Sequence, residues 1–259
     1  MKKIIITLIS FVLIISPLSA GKTVEEILAE FDKTISVPSL QGTFTVKLIS
    51  KNGDTREIKA RAYQKLVDNK QNNRLFIFDF PPRVRGTGLL VHSFLDGRDN
   101  NMWIYLPTVK RVKRIALESS GGGYFMGSDF TYRDLIANDL NNMKFELLEE
   151  KTMNGTESYV IKCWGKNQEV IKDLGYSYMI SYYKKENSVM HRREFFDSDS
   201  KLLKIYQVDD FHVSGKYHYP TKITMTNVQT EHKSIIEVTE ISTKDIPERY
   251  FTTRYLTDK

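Results

Sequence analysis

The chain has 259 residues, of which 41% are hydrophobic, and a formal net charge of +6 at pH 7. This content is enough for a folded core, and the mild basicity suits an anionic membrane surface without requiring one. The single cysteine, Cys163, excludes an internal disulfide, so packing must hold the fold together. Its strand-like surroundings predict a small buried apolar side chain rather than a reactive thiol.

Residues 1–20 have the pattern of a secretory signal peptide. Two lysines precede an apolar run at residues 4–15, and small residues follow, with cleavage expected near Ala20 or Gly21. The run is shorter than the roughly 20 residues that a membrane-spanning helix needs, although an uncleaved anchor remains an alternative. Export would separate the chain from nucleic acid, which we do not expect as a partner.

The mature chain, residues 21–259, is predicted to open with a helix. Thr23 and Glu26 have the spacing of a capping box, and Pro38 lies just beyond the expected end. Apolar residues at helical spacing form a single stripe that must be buried: Val24, Ile27, Leu28, Phe31 and Ile35.

After this helix the apolar pattern changes to period two, which is typical of half-buried strands. Asn52-Gly53 and Asn154-Gly155 are predicted hairpin turns. Strands are expected near residues 44–48, 57–66, 74–80, 89–93, 102–106, 144–151, 157–164, 176–183, 189–196, 201–208, 221–228 and 234–242. About ten to twelve short antiparallel strands in a single domain, either a barrel or a sandwich, are therefore expected.

The irregular centre of the chain lies at residues 118–142. Thr131 and Asp134 are spaced to cap a short helix through about residue 137. An aromatic-rich excursion of this kind is a candidate lid or mouth. The alternative is a plain surface loop that places Phe125 and Phe130 in the core.

No constellation of catalytic or metal-binding residues is apparent. The glycine triplet at residues 121–123 lacks the Gly-Lys-Ser/Thr of a phosphate loop, and Ser128 lacks the second glycine of a nucleophile elbow. The five histidines do not have the spacing of a zinc site. We therefore expect a protein without enzymatic activity, metal or cofactor.

A basic run contains Lys110, Arg111, Lys113 and Arg114 around Val112. On a strand these charges would occupy both faces, which indicates an edge, a rim or a protruding hairpin. One interpretation is that the charges protect a sheet edge from association. The other is a docking patch for anionic lipid headgroups or an acidic partner surface.

Several segments together resemble the LolA-like outer-membrane lipoprotein-sorting proteins. They lie at residues 81–87 (PPRVRGT), 96–97 (DG), 102–107 (MWIYLP), 109–115 (VKRVKRI), 125–135 (FMGSDFTYRDL) and 246–252. The resemblance implies a mainly β fold, an incomplete antiparallel barrel. Its N-terminal helix and further short helices would cover the concave apolar face.

The resemblance also implies a monomeric periplasmic carrier of lipoprotein acyl chains or other lipids. An inner-membrane ABC or RND-type exporter would load it, and an outer-membrane acceptor would unload it. Two alternatives are an envelope sensor that binds lipoproteins or partner proteins without transport, and a lipid hydrolase.

Related carriers use an arginine early in a strand to hold a lid closed. Arg74 is the nearest match, but its spacing differs, so no role is assigned to it, or to Arg83 and Arg85.

We hypothesise that five residues around the irregular centre line or gate an acyl pocket: Trp103, Tyr105, Phe125, Met126 and Phe130. The alternative is that they fill a closed core. Burying about ten methylenes at about 0.8 kcal/mol each would give about 8 kcal/mol before costs, which corresponds to near-micromolar affinity.

Overall fold

The computed structural model describes residues 21–68, 70–116, 123–136 and 140–258. The predicted signal peptide, residues 1–20, lies outside this part of the chain. The α-helices described are α1 (Val24–Ile35), α2 (Gln168–Leu174) and α3 (Thr253–Asp258). None of the helices in these ranges is long and apolar enough to cross a membrane.

Besides these helices and a few short 3₁₀ turns, the described residues form thirteen strands. They are β1 (Ser39–Ile49), β2 (Thr55–Asp68), β3 (Gln71–Phe80), β4 (Gly88–Phe94), β5 (Asn101–Leu106), β6 (Arg111–Arg114), β7 (Met143–Met153), β8 (Thr156–Gly165), β9 (Tyr178–Lys184), β10 (Met190–Phe196), β11 (Leu202–Ser214), β12 (Tyr217–Asn227) and β13 (His232–Ser242).

The cap of helix α1 and the turn between β7 and β8 form as the sequence predicts. The Glu26 carboxylate accepts a hydrogen bond from the Thr23 N–H at 2.8 Å, and the Thr23 hydroxyl accepts one from the Glu26 N–H at 3.2 Å. The capping box is therefore confirmed. The turn at Asn154-Gly155 has positive φ at both residues, 50° and 78°, which lets β7 and β8 pair directly.

All thirteen strands join one antiparallel sheet in the order β6-β5-β4-β3-β2-β1-β13-β12-β11-β10-β9-β8-β7. The sheet does not close, because β6 and β7 are its two edges. The predicted incomplete barrel is confirmed, with one strand more than the upper end of the expected range. The additional strand, β6, is the basic run, and its position at an edge agrees with charge on both of its faces.

The sheet curls around a large apolar cluster. β3 and β8 are eight positions apart in the strand order, about 38 Å in a flat sheet with strands about 4.8 Å apart. Nevertheless, Phe78 of β3 and Cys163 of β8 belong to the same buried cluster, together with Phe125 and Leu135 from the irregular centre. The centre of the chain therefore lies inside the concavity and bridges its walls.

The outer, convex face is also partly covered, which the sequence analysis did not anticipate. Residues 243–258 cross the outer face of β3, β4 and β5, and Phe251 and Leu256 are buried against Leu75 and Leu90. His92 Nε2 lies 2.9 Å from the Phe251 carbonyl oxygen. The strands at this end of the sheet therefore carry apolar side chains on both faces.

Helix α2 lies between two predicted strands, in residues for which the sequence pattern predicted no element. Asn167 caps its start, and Gly175 ends it with a φ of 78°. The predicted strand at residues 176–183 begins at Tyr178 instead. The helix packs so closely on β8 that a Cβ at Gly165 would lie 2.7 Å from the Ile171 nitrogen.

Candidate functional site

The concave side of the sheet contains a cavity of about 780 Å³. Its lining is mostly apolar and comes from α1, from strands toward both edges of the curled sheet and from the irregular centre. Representative lining residues are Phe31, Phe44, Ala62, Phe76, Phe125, Phe130, Phe145, Met179, Phe195, Ile223 and Met225. Three lining residues, Asp32, Leu140 and Asn141, are exposed, so the cavity reaches solvent between α1 and the segment that precedes β7.

The central segment, residues 123–136, forms a compact loop that projects into this concavity. The Phe125 N–H donates to the Phe130 carbonyl at 2.7 Å, and the Tyr132 N–H donates to the Gly123 carbonyl at 3.0 Å. Met126 and Gly127 turn the chain with φ values of 53° and 77°. The loop is therefore a hydrogen-bonded unit with its own turn.

The helix predicted to start near Thr131 is present as a single 3₁₀ turn, Arg133–Leu135. The Asp134 carboxylate accepts from the Thr131 N–H at 2.7 Å, and the Thr131 hydroxyl accepts from the Asp134 N–H at 3.2 Å. The predicted reciprocal cap is confirmed, and it directs the Asp134 carboxylate toward the sheet.

A buried lysine attaches the central segment to β11. Lys204 is 0% exposed, and its Nζ donates to Asp134 Oδ2 at 2.6 Å and to the Asp129 carbonyl at 3.0 Å. The Tyr176 hydroxyl donates to Asp134 Oδ1 at 3.1 Å. Burial, and then the Asp134 charge, raise the pKa of Tyr176, which therefore remains a hydrogen-bond donor.

A second polar attachment joins the central segment to β13. Asp129 Oδ2 accepts from the Ser234 hydroxyl at 2.7 Å and lies 2.6 Å from His232 Nδ1. The Asp129 N–H donates to Ser234 Oγ at 2.9 Å. The loop is thus held by two carboxylates that reach neighbouring parts of the sheet.

Arg74 makes a third attachment, from β3 on the far wall. Its Nη1 donates to the Leu135 carbonyl at 2.9 Å, and its Nε donates to Gln64 Oε1 at 3.1 Å. Arg74 lines the cavity, and desolvation lowers the pKa of its guanidinium. This is the arginine to which the sequence could assign no role.

The five residues predicted to line or gate the pocket do not all lie together. Phe125 and Phe130 line the cavity, and Met126 packs against the same apolar cluster without lining it. Trp103 and Tyr105 lie on the outer face of β5, packed with the C-terminal segment. Side chains alternate along a strand, so the residues of β5 that face inward are its other neighbours, such as Met102.

Two lining residues on the opposite wall were not singled out from the sequence as polar site residues. Arg193 of β10 and Tyr206 of β11 are directly paired across the strands and both line the cavity. Burial raises the pKa of Tyr206 to about 12, against the opposing effect of Arg193 and Arg74. The alternation of apolar residues along β10 marks the position of Arg193, but the pattern does not say which face is concave.

The basic edge, which we define as Arg83, Arg85, Lys110, Arg111, Lys113 and Arg114, lies at one end of the curled sheet. All six side chains belong to exposed residues. A Cβ at Gly86 would lie 3.3 Å from Pro107 Cγ, so the two basic segments are in contact. Arg114 Nη2 donates to Asn101 Oδ1 at 2.5 Å, and Arg85 Nε donates to the Asp79 carbonyl at 3.3 Å. Among the described residues, no carboxylate forms an ion pair with any of the six.

A buried serine–histidine contact on the outer face is poorly suited to catalysis. Ser158 Oγ and His191 Nε2 are 2.8 Å apart, but Ser158 is 0% exposed and neither residue lines the cavity. Burial, followed by Lys184 and Arg192, lowers the pKa of His191 to about 4. A substrate in the cavity could not reach this pair.

Comparisons with known proteins agree with this architecture. A family model described as "Uncharacterized protein" matches residues 70–258. A domain assigned to outer membrane lipoprotein sorting from Vibrio parahaemolyticus is 26% identical, with 90% of this chain and 97% of that chain covered and a TM-score of 0.83.

Two further solved structures share the fold. A DUF1329 family protein from Desulfovibrio piger is 22% identical, with 89% and 96% of the two chains covered and a TM-score of 0.81. A LolA superfamily protein from Nitrosomonas europaea is 19% identical, with 91% and 100% covered and a TM-score of 0.69. Among curated proteins, no match was found.

Proposed function

We propose that this protein, which belongs to the LolA-like family of outer-membrane lipoprotein-sorting proteins, is a non-enzymatic periplasmic carrier of acyl chains. The observation that carries the proposal is the apolar cavity of about 780 Å³ under the central segment. Ligand pockets for small molecules fall in the range of about 300–1,000 Å³. The name of the Vibrio parahaemolyticus relative, which refers to lipoprotein sorting, supports cargo of this kind.

In this mechanism the cavity takes up the acyl chains of a lipoprotein or another lipid and releases them to an outer-membrane acceptor. Uptake needs only the burial of methylenes, at about 0.8 kcal/mol each. Release needs an acceptor that binds the same chain more tightly by a few kcal/mol, since each 1.4 kcal/mol or so is tenfold in affinity. Neither step calls for chemistry at the protein, and an inner-membrane exporter of the ABC or RND type would supply the cargo.

The proposal assigns the lining and gating roles within the central segment to Phe125, Met126 and Phe130. Phe125 packs against Phe76 and Phe78 with ring centroids 6.2 and 5.9 Å apart, so it touches the far wall of the cavity. A movement of the segment would open space on both sides of this ring. Trp103 and Tyr105 lie on the outer face and are therefore not part of the pocket.

A cavity-filling substitution tests the carrier proposal. Ala62 lines the cavity on β2, so Ala62→Trp places an indole inside it. Thr45→Trp is the matched control, because Thr45 lies on β1 between the inward-facing Phe44 and Val46 and therefore faces outward. An uncharged fluorescent acyl glycerol is titrated into each protein.

We expect the unaltered protein and Thr45→Trp to bind the probe with near-micromolar affinity. Ala62→Trp should bind it at least about tenfold more weakly, a loss of about 1.4 kcal/mol. No saturable binding by the unaltered protein, or equal binding by all three, would show that the cavity does not hold acyl chains.

We further propose that the basic edge docks on the headgroups of an anionic membrane. Six exposed cations without a described carboxylate partner lie beside two exposed apolar side chains, Val109 at 51% and Phe80 at 41%. Each basic residue near an anionic surface contributes up to about 1 kcal/mol. Charge complementarity thus favours a membrane over an apolar partner.

Vesicle sedimentation tests the docking proposal. A Lys110→Gln/Arg111→Gln/Lys113→Gln variant should lose up to about 3 kcal/mol of binding to phosphatidylglycerol vesicles, about two orders of magnitude. Lys144→Gln/Lys151→Gln, on the opposite edge strand, is the control and should bind normally. Unchanged binding by the triple variant would refute the proposal. Capture of an acidic envelope protein with no vesicle binding would assign the surface to a protein partner instead.

A further inference from the structure

Two arginines inside the cavity lack the acidic partner that a buried cation normally has. Arg74 and Arg193 both line the cavity, both are half-buried, and desolvation is the largest influence on the pKa of each guanidinium. Among the described residues, neither forms an ion pair with a carboxylate. A buried charge without a counter-charge is costly, and the cost falls when an anion binds beside it.

The contacts that the two guanidiniums do make are with neutral groups. Arg74 donates to the Gln64 side chain and the Leu135 carbonyl, which uses two of its five N–H groups. Arg193 Nε donates to Ser181 Oγ at 2.8 Å, and the guanidinium also interacts with the Tyr183 hydroxyl. Both side chains therefore keep donors for a ligand.

The two arginines reach the same cavity from strands that lie six positions apart in the sheet. Arg74 projects from β3, and Arg193 projects from β10, where its Cα partner on β11 is Tyr206. Tyr206 lines the same cavity as both arginines, and both guanidiniums lower the pKa of its hydroxyl against the larger effect of burial. The hydroxyl of Tyr206 is a further donor, so two cations and a neutral donor surround one part of an otherwise apolar cavity.

The other charged side chains of the lining are compensated within the protein. Asp134 has Lys204, and Arg133 Nη2 lies 3.2 Å from Asp173 Oδ2. Asp32 is exposed at the mouth, where water solvates it. The protein thus pairs its buried ions elsewhere in the cavity, and Arg74 and Arg193 are the exceptions among the described lining residues.

We propose that Arg74 and Arg193, with Tyr206, bind the anionic headgroup of an amphiphile whose acyl chain occupies the cavity. The inference rests on the carrier function proposed above and narrows its cargo to acyl chains that bear a carboxylate or a phosphate. Guanidinium groups suit both anions, because their N–H groups form a planar fork that matches two oxygens at once.

Competition binding tests the inference with three probes of equal chain length: hexadecanoate, hexadecanoyl lysophosphatidate and the uncharged hexadecanoyl glycerol. Each displaces the fluorescent acyl glycerol at pH 8. We expect at least one of the two anions to bind about tenfold or more tightly than the uncharged ester. A preference confined to one of them identifies the headgroup as carboxylate or phosphate.

Two variants assign the preference to the arginines. Arg193→Met and Arg74→Gln should each remove most of the preference for the anion, measured within each variant as the ratio of its affinities for the anion and the ester. Arg192→Met is the matched control, since Arg192 precedes Arg193 on β10, does not line the cavity and pairs with Glu194 at 2.8 Å. It should keep the preference.

A second measurement on the unaltered protein does not depend on how the variants fold. Hexadecanoate labelled with ¹³C at the carboxyl carbon reports its own pKa when bound. Adjacent guanidiniums lower that pKa, whereas an apolar cavity alone raises it. Equal affinity for all three probes overturns this inference and leaves the carrier proposal standing, and so does a raised carboxyl pKa where hexadecanoate is the preferred probe. Failure of every probe to bind overturns both.

Discussion

Replacing Lys204 by methionine tests how firmly the central segment is attached to the sheet. The lysine is 0% exposed and donates to Asp134 at 2.6 Å and to the Asp129 carbonyl at 3.0 Å. Its loss leaves the Asp134 carboxylate, 11% exposed, with two neutral donors, the Tyr176 hydroxyl and the Thr131 N–H. Removing one partner of a buried pair costs about 3–5 kcal/mol. Because the two donors remain, we expect about 3 kcal/mol.

The assay is urea unfolding of Lys204→Met, Asp134→Asn and the double variant, with hydrogen exchange at residues 123–136. The losses in free energy of unfolding of the two single variants are added together. Their sum should exceed the loss in the double variant by about 1–3 kcal/mol, because each single change leaves an unpaired charge. Exchange in the segment should rise in every variant. A cost below about 1 kcal/mol for Lys204→Met, or additive losses, would refute the reasoning.

Three further changes have outcomes that follow from local geometry. Gly165→Ala should cost about 1–3 kcal/mol in thermal unfolding, because its Cβ would meet the Ile171 nitrogen at 2.7 Å; an unchanged Tm would contradict that contact. Thr23→Ala should cost about 1 kcal/mol through loss of the cap, whereas no loss would show that α1 does not depend on it. The pKa of His191 is lowered to about 4 by burial first, so its neutral form stabilises the fold, and stability should fall as pH drops from about 6.5 to about 4. His191→Gln should shrink that fall by about 1–2 kcal/mol, the shift being discounted for partial exposure, and identical pH profiles would exclude the effect.

Signals that act over a few residues predicted much of this fold. The reciprocal cap at Thr23 and the turn at Asn154-Gly155 are set by hydrogen bonds and backbone angles that neighbouring residues supply. Alternation located the strands, and the charges of β6 marked it as an edge. Helix α2 was not predicted because its seven residues are too few to show a helical apolar pattern.

The candidate site depends on contacts between distant parts of the chain, and these are less visible in the sequence. Lys204 and Asp134 are 70 residues apart, and nothing local relates them. Trp103 was expected to face the cavity because the pattern did not show that residues 243–258 cover the outer face of β5. An aromatic residue suits either covered face equally well. Alternation along a strand shows that adjacent residues point to opposite faces of the sheet, but it does not show which face is concave.

The most direct test of the cavity's role is to identify what it holds. The protein is purified from its native envelope without detergent, and lipids extracted from it are measured by mass spectrometry against protein concentration. We predict a near-stoichiometric acyl-chain ligand in the unaltered protein and in Thr45→Trp, and a much smaller amount in Ala62→Trp. Unaltered protein that is repeatedly free of lipid, or ligand that remains undiminished in Ala62→Trp, would contradict the account.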